Sequence, residues 1–449
     1  MRLVPYAFIV CALSITAHAH ANGRFPEAQQ IATVPGDTNH VFLRTTFGVL
    51  VSHDAGKSWR WICERALGYE GQWDPSIAVT KDGRLWVGLE TGINSTKDGC
   101  SLEPSPELDG ETVKDLTVDG KGETVFAITG RPGKRSHIWR RTPASGRFEK
   151  LAGLDDVNVM TIEVAPSNAS RVYVSGQPYS TIRGQIYRSD DGGVTLKTDV
   201  GDGGLSSSGL VADGPFFIGA IDREDPSRIL VRHLHANGSD LLLTKDGGKT
   251  FKNVLSIKSA MYGFAKSTET GTYWAGSGLA EDGIFRSTDR GETFTSIAKH
   301  GVLCLHSAPP SADAPGALFV CENVFSYGAY TLAVSHDQGA SIAPIAKFTD
   351  VLGPIECEIP DARGGLCGGA WPEIKALLTA PPDAGPDGDA LVDAGRRKRK
   401  RDGGAKPEEP TRGSKCGCET VGVRPVTYAD LPLLIGALAL VWRRRLRGT

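Results

Sequence analysis

The stretch Ser287-Thr-Asp289-Arg-Gly291-Glu-Thr293-Phe294 follows the pattern S-x-D-x-G-x-T-[WF], and the chain repeats this pattern. Further copies keep a serine or threonine, an aspartate and a glycine at the same spacing. Their aspartates are Asp54, Asp191, Asp246 and Asp337. A damaged copy, Ser95-Thr-Lys-Asp98-Gly-Cys100, adds a sixth aspartate. Self-similarity of this kind indicates an architecture built from repeated structural units.

The spacing of the six aspartates predicts the number of units. Successive intervals are 44, 93, 55, 43 and 48 residues. Since the interval of 93 residues is about twice the others, we expect a copy near residue 144 that has lost its aspartate. The segment Thr142-Pro-Ala-Ser-Gly146-Arg-Phe148 lies there and keeps the glycine and the aromatic residue. The sequence therefore predicts seven units.

Each unit also carries short runs of alternating apolar and polar residues before its motif. In the fourth unit these runs are residues 160–165, 171–176 and 185–189, and a fourth run is expected near 196–200. Period-two alternation interrupted by Gly, Pro and Asn predicts short antiparallel strands. Four strands in a unit of about 45 residues make one blade of a propeller. We therefore expect an all-β, seven-bladed propeller over residues 22–353.

The repeated motif lies where the third strand of a blade turns into the fourth. A short Asp or Ser side chain can accept hydrogen bonds from backbone N–H groups across such a turn. Glycine supplies backbone angles that other residues resist, and the aromatic residue packs between neighbouring sheets. One carboxylate per blade on the rim cannot converge on a substrate. The six aspartates are therefore predicted to be structural.

The motif resembles the Asp-box, or BNR, repeat. This repeat occurs in sialidase-like propellers, in photosystem II assembly factors of plants and cyanobacteria, in xyloglucanases and in sortilin-type receptors. The resemblance covers the predicted propeller and implies its fold. Because the repeat is shared by enzymes and by binding proteins, it implies no particular function.

The N-terminus predicts export. Residues 1–21 combine Arg2, an apolar run over residues 3–15 and two Ala-x-Ala steps, with cleavage expected after Ala19 or Ala21. This combination is typical of a secretory signal peptide. In an exported chain the six cysteines of the body are expected to form disulfides; they are Cys63, Cys100, Cys304, Cys321, Cys357 and Cys367.

Six cysteines allow many pairings. Neighbours along the sequence favour Cys304–Cys321 and Cys357–Cys367, which leaves Cys63 with Cys100. None of these cysteines forms a C-x-x-C motif, which argues against a zinc site. Residues 354–378 are expected to form a disulfide loop and a short helix from about Pro372 that cap the propeller.

The region after the cap predicts a stalk. Residues 379–415 are rich in Pro, Ala, Gly and Asp and contain the basic run 396–401. Such a composition cannot bury a core, so we expect disorder. In an exported chain the basic run is interpreted as a solvated stretch that touches the anionic envelope rather than as a nucleic-acid tail.

Residues 416–449 predict a sorting tail. They begin with Cys416-Gly-Cys418, continue into an apolar helix over 429–442 and end in arginines. With the stalk, these elements resemble the MYXO-CTERM tail of myxobacterial surface proteins. The resemblance implies processing by a sorting protease at Cys416, with Cys418 as its companion, and anchoring at the cell envelope and outer surface. The alternative is a plain single-pass anchor, for which the apolar run is short against about 20 residues.

Other residue patterns give little evidence of nucleic-acid, cofactor or metal binding. The net charge of −2 provides no field that would recruit nucleic acid. No phosphate loop or dinucleotide fingerprint appears, and no cofactor is expected. His233-x-His235 places two imidazoles on one strand face without further ligands, so no metal site is predicted. The glycine-rich stretch 201–204 with Asp199 lacks the ligand spacing of a dedicated calcium site.

Residues for hydrolysis are equally hard to find. A sialidase needs three arginines, a Tyr–Glu nucleophile pair and a general acid. The segment 23–26 only loosely matches the initial segment of that family, and Tyr262 and Tyr327 lack a recognisable glutamate partner. A xyloglucanase-like enzyme needs two opposed carboxylates. The candidates, Asp222, Glu224 and Asp225, lie in a turn before a strand, where solvent exposure is expected.

The leading expectation is therefore a non-enzymatic, cell-surface propeller. It would bind a protein or glycan at the mouth of the ring. The first alternative is a secreted glycoside hydrolase, sialidase-like or xyloglucanase-like, that uses the same mouth. A further alternative is an envelope assembly factor.

Overall fold

The structure is a computed structural model. It describes residues 26–71, 73–197, 213–310, 316–322, 330–357 and 364–379. The predicted signal peptide, the stalk beyond Thr379 and the tail with Cys416 and Cys418 lie outside the described residues. So do residues 199–204 and Tyr327. Of the helices in the described part of the chain, none is both long and apolar enough to cross a membrane.

The described residues form seven antiparallel sheets, one for each predicted blade. Blades 1 to 4 contain β1 (Ala28–Val34), β2 (Asp37–Thr45), β3 (Gly48–Ser52), β4 (Arg60–Cys63), β5 (Ile77–Val79), β6 (Leu85–Leu89), β7 (Gly92–Thr96), β8 (Glu103–Pro104), β9 (Val113–Val118), β10 (Val125–Thr129), β11 (His137–Arg141), β12 (Phe148–Lys150), β13 (Val157–Ala165), β14 (Asn168–Pro178) and β15 (Gln185–Ser189).

Blades 5 to 7 and the helical segments complete the fold. The strands are β16 (Phe216–Ile221), β17 (Ile229–His235), β18 (Gly238–Thr244), β19 (Lys252–Ile257), β20 (Met261–Lys266), β21 (Tyr273–Ser277), β22 (Ile284–Ser287), β23 (Thr295–Ala298), β24 (Val302–Ala308), β25 (Ala317–Glu322), β26 (Leu332–Ser335) and β27 (Ala343–Ala346). The α-helices are α1 (Glu64–Leu67) and α2 (Gly364–Thr379), and the 3₁₀ helices are Pro106–Leu108 and Phe348–Asp350.

The seven-bladed propeller is confirmed. Strands follow chain order within each sheet, and the first strand of each blade lies against the first strands of its neighbours. β1 contacts both β5 and β24, so the ring is closed. Blade 4 has three described strands, and its expected fourth is represented by a bridge between Arg188 and Lys197. The predicted copy without aspartate joins β11 to β12 in blade 3.

The hydrophobic core lies between the blades. One cluster joins Phe126 and Ile138 of blade 3 to Ile162 and Val174 of blade 4, and similar clusters fill other seams between blades. The aromatic residue of the repeated motif enters this layer in blade 1, where Trp59 is 2% exposed. Burial at these seams, rather than within one sheet, holds the blades against each other.

The chain after blade 7 returns to blade 1. The backbone N–H of Trp61 donates to the carbonyl of Gly353 (2.8 Å), and that of Ile355 donates to the carbonyl of Trp61 (2.9 Å). Residues 352–355 therefore add a short parallel partner to the outermost strand of blade 1. We call residues 352–357 and 364–379 the latch.

Two of the three predicted disulfide pairings are wrong. The Cys304–Cys321 pairing is confirmed, but Cys63 is bonded to Cys367 and Cys100 to Cys357. The physical reason is ring closure, which brings residues from the end of the chain beside blades 1 and 2. Sequence neighbourhood therefore fails as a guide to distance for these four cysteines.

The predicted start of the capping helix is also wrong. Helix α2 begins at Gly364, and Pro372 lies inside it. The preceding turn is held by the bond between Cys367 and Cys63 and by the Trp371 ring, whose centroid lies 5.6 Å from that of Trp61. These tertiary contacts override the preference of proline for the first turn of a helix.

Candidate functional site

The Asp-box turns form one face of the ring, which we call the box face. In blade 1, the Ser52 hydroxyl donates to Asp54 (2.8 Å) and accepts from the Gly56 N–H (2.8 Å). The Asp54 carboxylate also accepts from the Ser58 N–H (2.8 Å) and hydroxyl (2.6 Å). The same contacts recur around Asp191, Asp246, Asp289 and Asp337. Each of these aspartates is thus bonded within its own turn.

The two irregular copies show how the turn tolerates change. In blade 2, Thr96 takes the place of the serine: its hydroxyl donates to Asp98 (3.2 Å) and accepts from the Gly99 N–H (2.9 Å). The turn is one residue shorter than the others, and Asp98 is still bonded to Ser101. In blade 3, Thr142 accepts from the Ser145 N–H (3.0 Å), so hydroxyls hold that turn without an aspartate.

The same hydrogen bonds keep the aspartates of the Asp-box turns ionised. Bonds from Thr195 lower the pKa of Asp191 to about 2, and bonds from Ser341 do the same for Asp337. A carboxylate with such a pKa stays ionised at neutral pH and is a poor proton donor.

The opposite face, which we call the loop face, carries the turns between second and third strands and the connections between blades. The first strands start at this face, and six of the seven contain a β-bulge, five of them near their beginning. At each of these six bulges one residue has no partner in the neighbouring strand. In chain order these residues are Gln29, Lys114, Met160, Gly219, Tyr262 and Leu303. A bulge re-aims a side chain relative to regular alternation. Tyr262, offered by sequence as a nucleophile, is one of these residues and is 53% exposed.

Polar side chains join the first strands of blades 1 to 5 around the central channel. Each accepts a hydrogen bond from a backbone N–H of the next blade. The pairs are Gln30 with Ile77 (3.1 Å), Ser76 with Leu116 (3.1 Å), Asp115 with Ile162 (3.0 Å) and Thr161 with Ile218 (2.9 Å). We call these side chains the channel clamps.

Two acidic side chains lie in this channel. Asp115 accepts from the Ser76 hydroxyl (2.8 Å) as well as from Ile162, and burial raises its pKa to about 7. Glu163 lies 3.8 Å from the ammonium of Lys266 and accepts from the Thr117 hydroxyl (3.4 Å). Burial raises the pKa of Glu163 as well. Sequence reasoning missed both residues, because no motif marks them.

A cavity of about 440 Å³ opens on the loop face between blades 2 and 3. We call it the Trp73 cavity. Its walls come from the connections before β5 and β9 and from the second turns of both blades. The lining residues are Trp73, Glu90, Thr91, Thr112, Lys114, Gly130, Arg131 and Pro132.

Hydrogen bonds fix the walls of the Trp73 cavity. The indole N–H of Trp73 donates to the carbonyl of Gly88 (3.0 Å). The Arg131 guanidinium donates through Nε to the Thr112 hydroxyl (2.5 Å) and through Nη2 to the carbonyl of Glu90 (3.0 Å). The cavity is therefore pre-organised rather than formed by mobile side chains.

A second cavity, of about 540 Å³, lies on the same face between blades 3 and 4. Its walls include Leu154, Val157 and Tyr187, together with Arg135 and Asp155, which form an ion pair with each other. Asp156, Ser180 and Gln185 add further polar side chains to its lining.

The paired histidines lie on blade 5. His233 is fully buried and its Nε2 lies 3.2 Å from the carbonyl oxygen of Asp213. His235 Nε2 lies 3.4 Å from Asp240. Burial lowers the pKa of His233, which favours the neutral ring. Within the described ranges, no group of three His, Cys, Asp or Glu side chains is arranged to hold a metal ion.

The turn with Asp222, Glu224 and Asp225 lies on the box face, between β16 and β17. The expectation of exposure is wrong for Asp222, which is 1% exposed. Its carboxylate accepts from Arg290, which belongs to the sixth box, and from the Tyr273 hydroxyl (2.9 Å). Burial alone would raise the pKa of Asp222, but the bonds from Arg290 and the turn hold it at about 2. Asp222 therefore joins blades 5 and 6.

Comparisons with known proteins support the propeller fold alone. No protein-family model matches the chain, and no curated protein matches it. An ancestral GH74 enzyme is similar in structure, with a TM-score of 0.54 and 12% identity over 72% of this chain and 46% of that one. The chain thus spans less than half the length of that enzyme.

Two further solved structures give lower scores. Hydrazine synthase of Kuenenia stuttgartiensis has a TM-score of 0.46 at 12% identity, over 72% of this chain and 99% of that one. YCF48 from Cyanidioschyzon merolae has a TM-score of 0.42 at 15% identity, over 66% of this chain and 92% of that one. At these identities the likeness concerns the propeller fold alone.

Proposed function

We propose that this chain is an exported, non-enzymatic propeller that binds a glycan at its loop face. The observation that carries the proposal is the Trp73 cavity, a pre-organised pocket with an aromatic wall and polar groups. Its volume of about 440 Å³ falls within the range of about 300–1,000 Å³ that is usual for ligand pockets.

The chemistry of the walls supports binding. Trp73 is half-buried, and its ring is oriented by the bond to Gly88, so one part of the indole is available to an apolar sugar face. The side chains of Thr91 and Glu90 are exposed beside it and offer oxygen atoms to sugar hydroxyls. An aromatic surface with a few fixed polar groups is the usual composition of a small-molecule site.

The same walls argue against cleavage of a bound glycan. Glycoside hydrolysis usually needs two carboxyl groups on either side of the scissile bond. Among the described residues that line the Trp73 cavity, Glu90 is the acidic one. Within the described lining, a ligand held there meets no second acid that could attack it or activate water.

A second candidate is a glycoside hydrolase that acts in the central channel. The raised pKa values of Asp115 and Glu163 favour it, since a general acid must be protonated near neutral pH. Against it, Asp115 is engaged as a channel clamp between blades 2, 3 and 4, and Glu163 faces Lys266. We therefore rank hydrolysis second.

Export and anchoring complete the proposal. Three disulfides are typical of an extracytoplasmic protein. We propose that the tail from Cys416 is cut and anchored at the cell envelope. In a Cys416→Ala variant, surface labelling should be lost. A variant that stays on the surface at the normal level would contradict this part of the proposal.

A panel of neutral and acidic polysaccharides tests the function directly. The purified protein should retain one or more glycans in affinity electrophoresis and release no reducing sugar on long incubation. Release of sugar that is abolished by Glu163→Gln would overturn the binding proposal in favour of the hydrolase. A glycan panel on which nothing is retained and nothing cleaved would overturn both.

A further inference from the structure

We infer that the Trp73 cavity selects a carboxylated sugar, such as a uronic acid unit of an acidic polysaccharide. The inference deepens the proposed function and rests on it. It depends on two cationic side chains that line the cavity, Lys114 and Arg131, and on the single acidic side chain of the described lining, Glu90.

The first cation is Arg131. Its Nε and Nη2 are held by Thr112 and by the carbonyl of Glu90, which fixes the plane of the guanidinium. Among the described residues, nothing accepts a hydrogen bond from Nη1, and the side chain is exposed. A guanidinium with a fixed plane and a free edge is well suited to a carboxylate, because its N–H groups match the two carboxylate oxygens.

The second cation is Lys114. It is the unpaired residue of the bulge in β9, where Ile128 pairs with Asp115 and Thr129 with Val113. The bulge allows Lys114 and Asp115 to take different roles: Asp115 clamps blades, and Lys114 lines the cavity. No carboxylate in the described parts of the chain forms an ion pair with Lys114, so its charge is available to a ligand.

The balance of charge in the cavity follows from these two residues. Lys114 and Arg131 face one acid, Glu90, so the lining carries a net positive charge. Trp73 provides an aromatic surface against which a sugar ring can pack. A neutral sugar would use the ring and the hydroxyls but would bring no carboxylate to either cation. A carboxylated sugar uses all of these groups, which gives the selectivity.

Binding of the full exported chain to mannuronate hexamers from alginate tests the inference by calorimetry. The carboxyl-reduced hexamer is the matched ligand, and sialyllactose tests a carboxylate on another sugar frame. We expect the acidic hexamer to bind at least tenfold more tightly than the reduced one, and its affinity to fall as salt is raised. Tighter binding of sialyllactose would also support a carboxylate site and would reassign the sugar.

Variants separate the cavity from the rest of the surface. Lys114→Gln should weaken binding of the acidic hexamer about tenfold, as expected for one charged hydrogen bond, and leave the reduced hexamer unaffected. Lys134→Gln is the control, because Lys134 lies in the same turn as Arg131 and outside the cavity lining. Thermal unfolding of each variant verifies that it is folded.

Three outcomes would overturn the inference. They are equal affinity for the acidic and reduced hexamers, an unchanged affinity in Lys114→Gln, and an equal loss in Lys134→Gln. If neutral glycans bind while the acidic ones do not, the inference fails and the proposed glycan-binding function stands. If no glycan binds, both fail.

Discussion

The seam between blades 7 and 1 differs from the four seams that join blades 1, 2, 3, 4 and 5 in succession. Along the earlier seams the chain is continuous, and a channel clamp joins each pair of first strands. Between blades 7 and 1 the ring is closed without a continuous chain. There the first strands share one hydrogen bond, between Thr33 and His306 (3.0 Å), and the latch adds backbone pairing and two disulfides.

The difference shows where this ring needs covalent support. Opening a seam between consecutive blades leaves them tethered, so a clamp has only to orient them. Opening the closing seam releases the two ends of the propeller, and the freed chain gains much conformational entropy. The disulfides from the latch join positions that are 304 and 257 residues apart and oppose that gain.

Removing a latch disulfide should have the largest effect on stability. For Cys63→Ser/Cys367→Ser we expect the free energy of unfolding to fall by about 4 kcal/mol, because with Cys100–Cys357 intact the bond still closes a loop of about 47 residues, 63–100 and 357–367. The matched control is Cys304→Ser/Cys321→Ser, whose loop of 17 residues predicts a loss of about 3 kcal/mol. Urea unfolding measures both. A smaller loss for the latch pair than for the control would contradict the proposed role of the latch.

The channel clamp with a titratable group should give an intermediate effect that depends on pH. Because burial raises the pKa of Asp115 to about 7, the folded protein holds a proton there that the unfolded chain releases near pH 4. The contribution of Asp115 to the free energy of unfolding should therefore fall as pH rises from about 4 to 7, and then level off. Asp115→Asn should remove on the order of 2 kcal/mol of this dependence.

Thr161→Val is the control for that experiment. It deletes a clamp of the same kind, the bond to the Ile218 N–H, without a titratable group. It should lower stability by about 1 kcal/mol at every pH and keep the slope. If Asp115→Asn retained the slope of the wild type, the buried proton would have to be assigned to another group.

The seams also explain which features of the molecule the sequence could predict. The 93-residue interval correctly predicted blade 3, whose turn at Thr142 keeps its local hydrogen bonds without an aspartate. Such turns are local and leave a pattern in the sequence. Partners across seams leave none: the pairing of Cys63 with Cys367 follows from closure of the whole ring.

The Trp73 cavity could not be predicted for a related reason. Trp73 precedes blade 2 and Arg131 lies in a turn of blade 3, so the two meet only once the blades are packed. Lys114 is the unpaired residue of the bulge in β9, so period-two alternation alone does not predict the direction of its side chain. The polar residues of the first strands could indicate contacts between blades only once the register of those strands was known.

The smallest effect is expected at the hydrogen bond of the closing seam. Burial lowers the pKa of His306 to about 4, so its ring is neutral at pH 7 and shares one bond with the Thr33 hydroxyl. Thr33→Val should leave this nitrogen unpaired and lower the free energy of unfolding by about 1 kcal/mol. Thr33→Ser keeps the hydroxyl and should cost less. Since the latch holds the same seam, the loss in Thr33→Val should grow when the Cys63–Cys367 bond is also removed; strictly additive losses would show that the bond and the latch act independently.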